Sequence, residues 1–129
     1  MTSPALPEAL RAYARGLHSA EAGVELLISQ MSFLHRRDFR DRFIRIDIGI
    51  THDAELAEID WPAAITALDT GELPCSSGEG QILRLAASLA EGIPVDLRDT
   101  LTGLDHHNIT LVITAVLHTS GHKQDHHVS

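Results

Sequence analysis

The sequence predicts a mostly helical domain with a minor β part: about six helices in a compact bundle, and one antiparallel β-hairpin inserted at about residues 43–60. Three observations predict it. Aliphatic side chains recur at i, i+3, i+4 and i+7 through most of the chain, the period of an amphipathic helix. One stretch alone, Ile44, Ile46, Ile48 and Ile50, alternates with period two. Helix start and stop signals punctuate the second half, at Asp60, Ser76, Gly92 and Asp105.

The first helix is expected over about residues 7–15. Leu6, Leu10, Tyr13 and Leu17 form one stripe, and Pro7 suits a first turn, where its missing N–H would have no partner anyway. Gly16 breaks the pattern, and Ser19 reads as the N-cap of a second helix over about 20–34. Val24, Leu27, Ile28, Met31 and Leu34 line one face of that helix, and Leu26 and Phe33 widen it. Two apolar faces imply a central position in the bundle or a dimer surface.

A charged stretch follows, in which Asp38 reads as the cap of a short turn, DFRDR. The β-branched alternation from Ile44 to Ile50 reads as a half-buried strand, THDA as a turn, and Ala57, Ile59 and Trp61 as the inner face of the return strand. A lone two-stranded hairpin is marginal in water, so it must pack on helices or extend across a dimer.

Asp60-Trp-Pro opens the third helix, with Trp61, Ile65 and Leu68 inward and Gly71 at its end. Ser76 and Glu79 have the spacing of a capping box and open the fourth, whose buried stripe is Ile82, Leu85, Ala86 and Leu89, closed by Gly92. A short fifth helix holds Leu97, Leu101 and Leu104. Asp105 caps the sixth, where Ile109, Val112, Ile113, Val116 and Leu117 repeat at helical spacing. Residues 109–117 are rich in β-branched side chains, so a buried strand is the alternative there. Residues 1–5 and 122–129 lack apolar periodicity and are expected as tails of a single domain.

The chain has 129 residues and a net charge of −8, which opposes broad binding to nucleic acid or anionic membranes. No run approaches the ~18 apolar residues that a membrane helix needs. The start, MTSPALPEAL, has neither the basic nor the apolar region of a secretory signal, and a single cysteine cannot form an internal disulfide. A cytoplasmic setting is expected. The richness in Ala, Leu, Arg and Asp is that of a GC-rich bacterial genome.

Against this acidic background, half of the ten cations sit in ten residues. Arg36, Arg37, Arg40, Arg42 and Arg45 oppose only Asp38 and Asp41, a net charge of +3, while five cations face sixteen acids elsewhere, a net of −11. Such an island can steer an anionic partner. It can equally clamp acids of its own fold. If residues 35–42 are helical, Arg37–Asp41 and Asp38–Arg42 are i,i+4 pairs worth ~0.2–0.5 kcal/mol each.

Other chemistry is weaker. LAASLAEGIPVDLRDTLTGL has the outline of a helix-turn-helix, but its second helix would offer Asp96 and Asp99 against a single Arg98 and repel phosphates. Cys75 precedes a helix whose dipole would lower a thiol pKa, yet no base is evident, and Arg84 is too distant for a phosphate-cradling Cys-x5-Arg loop. GEGQIL is half a dinucleotide fingerprint without a preceding strand. Of nine histidines, His118, His122 and His126 keep i,i+4 spacing, but Gly121 interrupts the helix they would need to share a metal. No cofactor, metal site or catalytic set is expected.

These observations point to a non-enzymatic interaction or regulatory module, binding its partner through Arg36, Arg37, Arg40, Arg42 and Arg45 and the adjoining hairpin edge. A homodimer would hide that edge and the second face of the second helix. One alternative is a nucleic-acid-associated accessory protein using the same arginines. Another is a small enzyme or ligand-binding domain near Cys75.

Overall fold

The computed structural model describes residues 5–48 and 55–121. They form seven α-helices and one antiparallel hairpin: α1 Ala5–Ala14, α2 His18–Gln30, α3 Arg37–Phe43, β1 Ile44–Ile48, β2 Glu55–Ile59, α4 Trp61–Asp69, α5 Ser77–Glu91, α6 Leu97–Thr102 and α7 His106–Thr119. The mostly helical prediction with one hairpin holds, and residues 109–117 are helix. The THDA turn, Ile50 and the 122–129 tail lie outside the described residues; of the expected N-terminal tail only Ala5 is described, and it opens α1.

The seventh helix is α3, expected only as a turn. The charges masked its drive, the i,i+4 pair Phe39 and Phe43, both buried. Phe33, Phe39 and Phe43 stack in sequence with 5.2 Å between successive ring centroids. Asp38 is not the cap. That position is Arg36, and Asp38 lies in the first turn, where its Oδ1 accepts the Phe39 N–H at 2.8 Å.

α2 differs from expectation at both ends. Ser19 does not cap it. Leu17 occupies the cap position, and Glu21 reaches back to accept the Gly16 N–H at 2.9 Å. The helix stops at Gln30, not Leu34, because Met31 turns to φ +77° and the chain re-enters a single 3₁₀ turn at Phe33–His35. α2 is nonetheless the central helix, packed by α1, α5 and α7, so most of its two apolar faces is covered within the chain, with Ile28 left at a groove near its C-terminal end. α5 lies close enough that a Cβ at Gly23 would sit 2.6 Å from the Ala86 carbonyl oxygen.

The predicted caps recur. Asp60 accepts the Ala63 N–H and Asp105 the Asn108 N–H, and Ser76 and Glu79 form a reciprocal capping box. α4 ends in a Schellman motif: Glu72 N–H reaches Ala67 O at 2.8 Å and Gly71 N–H reaches Leu68 O at 3.3 Å. That turn requires the φ of +81° found at Gly71, which a glycine adopts freely.

In the hairpin, Ile44 faces Ile59, Ile46 faces Ala57, and Ile48 faces Glu55. β2 packs on α1 and buries Ala57 and Ile59. β1 is the outer strand, so the expected half-buried isoleucine face is not continuous: Ile46 is 56% exposed. Apolar exposure also differs on α7. Of the residues that repeat there at helical spacing, Val112 faces the core with Ala115, whereas Ile113, Val116 and Leu117 face outward.

Candidate functional site

The arginine segment spans the 3₁₀ turn's exit, α3 and the start of β1. Arg36 spends its whole guanidinium on its own chain. Nε and Nη2 donate to the two Asp38 oxygens at 3.0 and 2.7 Å, and Nη1 donates to the Pro74 carbonyl at 2.7 Å. This bidentate pair holds the Asp38 carboxyl below its ordinary range. Its link to Pro74 straps α3 to the loop before α5.

Arg42 lies over the Phe43 ring and donates to both the Glu72 carboxylate at 3.3 Å and the Glu72 carbonyl at 3.4 Å. Arg45 pairs across the hairpin with Glu58 at 3.2 Å. Arg40 donates Nη1 to the Leu34 carbonyl at 3.0 Å. Arg37 is exposed and makes no hydrogen bond or ion pair among the described residues. Of the expected pairs, Asp38–Arg42 does not form because Arg36 captures Asp38 and Glu72 captures Arg42; Arg37–Asp41 does not form either, and no competing partner among the described residues holds Arg37.

Three of the five cations therefore clasp carboxylates of their own chain. Arg37, the outer side of Arg45 and the free donors of Arg40 remain directed outward. Arg45 belongs to a strand whose outer edge has no partner among the described residues. The Asp60 N–H to Phe43 carbonyl bond, 2.7 Å, sets the ladder phase: Ile44 and Ile59 are a non-hydrogen-bonded pair. Ile46, two residues on, is in the same phase, so its N–H and C=O point away from β2.

Beside Arg40 lies a groove of about 570 Å³, lined by Leu6, Pro7, Ile28, Met31, Leu34, His35 and Arg40. Met31 forms its lip, 54% exposed, in a turn where the Ser32 N–H reaches back to Gln30 O at 3.0 Å. That three-residue turn, with φ +77° and ψ −34° at its central Met31, is a strained γ-turn. Side chains hold it. Ser32 N–H also meets Gln30 Oε1 at 3.0 Å, Gln30 Nε2 donates to Ser32 Oγ at 3.0 Å, and Ser32 Oγ donates to Glu79 Oε2 at 2.9 Å. Glu79 thus joins the α5 capping box to the lip of the groove. Nothing in the sequence marks this site, since positive φ is signalled by glycine or asparagine, and Met31 instead continued a helical stripe.

Cys75 is half-buried, and its thiol is pushed up, first by burial and then by the Glu79 carboxylate, the reverse of activation by a helix terminus. Arg84, nearby, is held by Asp69 at 2.6 Å. Gly78 and Gly80 lie in the first turn of α5, after a loop. α6 is a single short helix whose Asp96 is consumed as its cap. His118 meets Glu21 at 2.9 Å and packs edge-on against His18, with ring centroids 6.3 Å apart. The described residues hold no group of three side chains placed to ligate a metal. His122 and His126 lie outside them.

No helix among the described residues is long and apolar enough to cross a membrane. The chain matches no protein-family model, no curated protein and no solved structure.

Proposed function

We propose that this chain is a non-enzymatic interaction module that takes an extended, acidic segment of a partner along the outer edge of β1. The open edge supports this reading: it presents main-chain donors and acceptors at Ile46, beside a half-exposed isoleucine and an arginine. Strand addition draws affinity from such a ladder and specificity from alternate side chains. Of the five arginines, Arg45 and Arg37 carry the electrostatic part. The Arg45–Glu58 pair does not oppose this, because the Arg45 side chain is 72% exposed and exposed pairs are worth about 0–1 kcal/mol. Arg36 and Arg42 act as internal clasps that fix α3 beside the strand.

The test is partner capture by the purified chain, compared among variants. Ile46→Pro removes an outward N–H without touching the bonds to β2, and Arg37→Ser with Arg45→Ser removes the charge. A specific protein recovered by the unaltered chain and lost with both variants supports the module. Equal recovery of every partner by all three chains overturns it.

A second copy of the chain is the proposed occupant of a separate face, the outer side of α7. Ile113, Val116 and Leu117 are exposed there. Residues 106–119 contain no Asp, Glu, Lys or Arg. In a chain of net charge −8, an apolar face without formal charge is where two copies meet with least repulsion. Sedimentation of Ile113→Glu as a monomer beside a dimeric parent supports the pairing, and a monomeric parent refutes it.

A further inference from the structure

The groove beside Arg40 has a composition that neither strand addition nor dimerisation uses. Leu6 and Pro7 of α1, Ile28 and Met31 at the end of α2, and Leu34 give it an apolar wall, and a guanidinium and an imidazole, Arg40 and His35, give it a basic rim. Its volume of about 570 Å³ lies within the range of small-molecule sites. No carboxylate among the described residues lines it. Three neighbouring arginines of the same segment, Arg36, Arg42 and Arg45, are by contrast each matched by an acid.

Arg40 is half-buried and fixed by one bond, Nη1 to the Leu34 carbonyl. That bond orients the guanidinium and leaves Nε and Nη2 without partners among the described residues. A fork with two open donors is matched by a carboxylate. The lip supplies shape. Met31 is flexible and polarizable, suited to an irregular apolar body, and its backbone is strained and over-determined by Gln30, Ser32 and Glu79. Strained residues held in this way cluster at ligand clamps.

We propose that the groove binds a small amphipathic carboxylate, its acid group on Arg40 and its apolar body against Ile28, Met31 and Leu34. One guanidinium and one imidazole beside an apolar wall suit a monoanion with a hydrocarbon tail better than a polyphosphate, which would need several cations and no tail.

Calorimetric titration with decanoate, below its micellar range, tests this on the full chain, with decan-1-ol as the uncharged probe of equal tail. The expected result is one site, with decanoate bound about tenfold or more tightly than decanol. Arg40→Gln is expected to remove that preference while leaving decanol binding unchanged, and Arg40→Lys to restore part of it. Methyl NMR shifts on decanoate addition are expected at Ile28, Met31 and Leu34. Equal affinity for acid and alcohol in the unaltered chain, shifts confined to other residues, or no saturable binding overturns the proposal, and none of these depends on a variant folding.

Discussion

Replacing Gly23 with alanine sets two effects of known sign against each other. Within a helix, the change from glycine to alanine gains ~1 kcal/mol from propensity alone. Gly23, however, lies where α2 crosses α5. The new Cβ would sit 2.6 Å from the Ala86 carbonyl oxygen and 2.8 Å from the Ala90 Cβ. Neither neighbour can rotate away, so the two helices must move apart. Overpacking of this kind costs roughly 1–3 kcal/mol, and two immobile contacts place it at the upper end. The clash wins, for a net loss of about 2 kcal/mol. Gly80→Ala is the internal control. Its Cβ would meet Leu68 Cδ1 at 3.4 Å and Cys75 Sγ at 3.5 Å, ordinary contacts with flexible or soft atoms. The same chemical change should therefore stabilise there by ~0.5–1 kcal/mol. Thermal unfolding followed by circular dichroism reads both. The melting midpoint is expected to fall by about 8 °C for Gly23→Ala and rise by about 2–4 °C for Gly80→Ala, at ~4 °C per kcal/mol for a domain of this size. If Gly23→Ala matches or exceeds the parent in stability, α2 and α5 do not cross this closely and the packing described above is wrong.

Acid should weaken the fold through two glutamates. Glu21 is held low chiefly by the Gly16 N–H and then by His118, and Glu79 chiefly by the Ser76 N–H and then by the Ser32 hydroxyl. Each has a folded pKa below its unfolded value of 4.5, so its contribution is complete above that pH and lost as pH falls through the folded pKa. Glu21→Gln and Glu79→Gln should each lower the urea midpoint at pH 7 and flatten its decline below pH 4.5; curves parallel to the parent refute the assignment. Cys75 should react with a disulfide reagent at pH 8 more slowly than a free thiol and reach the free rate in urea, since burial pushes its thiol up. Fast labelling of the folded chain would restore it as a nucleophile. A short oligonucleotide should show no binding at low salt, because within the arginine segment only Arg37 and parts of Arg40 and Arg45 are directed outward, on a chain of net −8; salt-sensitive binding lost with Arg37→Ser would revive nucleic-acid association.

The elements were legible where one local rule acts alone. Asp60, Ser76 with Glu79, and Asp105 each name a helix start, because a side-chain oxygen there meets a backbone N–H two or three residues on and nothing distant is needed. Legibility fails where tertiary partners outbid local ones. Ser19 is a good cap by type, yet Glu21 does the work by reaching back to Gly16. Asp38 and Arg42 have ideal helical spacing, yet Arg42 pairs with Glu72, thirty residues on. The alternation at Ile44 and Ile46 correctly gave a strand, but a two-residue period cannot say which strand of a hairpin lies against α1. Burial went to β2, and Ile46 was left outside.

The arginine cluster shows the same division at the level of function. Charge density along the chain marked a candidate surface, but density does not distinguish a guanidinium that binds from one that builds. Distance does. Arg36, at 2.7 Å from both Asp38 and Pro74, has all three of its nitrogens engaged and its charge matched by Asp38, so a ligand carboxylate there would compete with the strap that holds α3. Arg40 has one donor filled, by a backbone carbonyl that carries no net charge, so its positive charge is oriented without being neutralised. An oriented, half-exposed guanidinium beside an apolar wall can take an anion without first giving up a partner carboxylate. By that criterion, the cation most committed to something outside the chain is the one whose surroundings the sequence left unmarked.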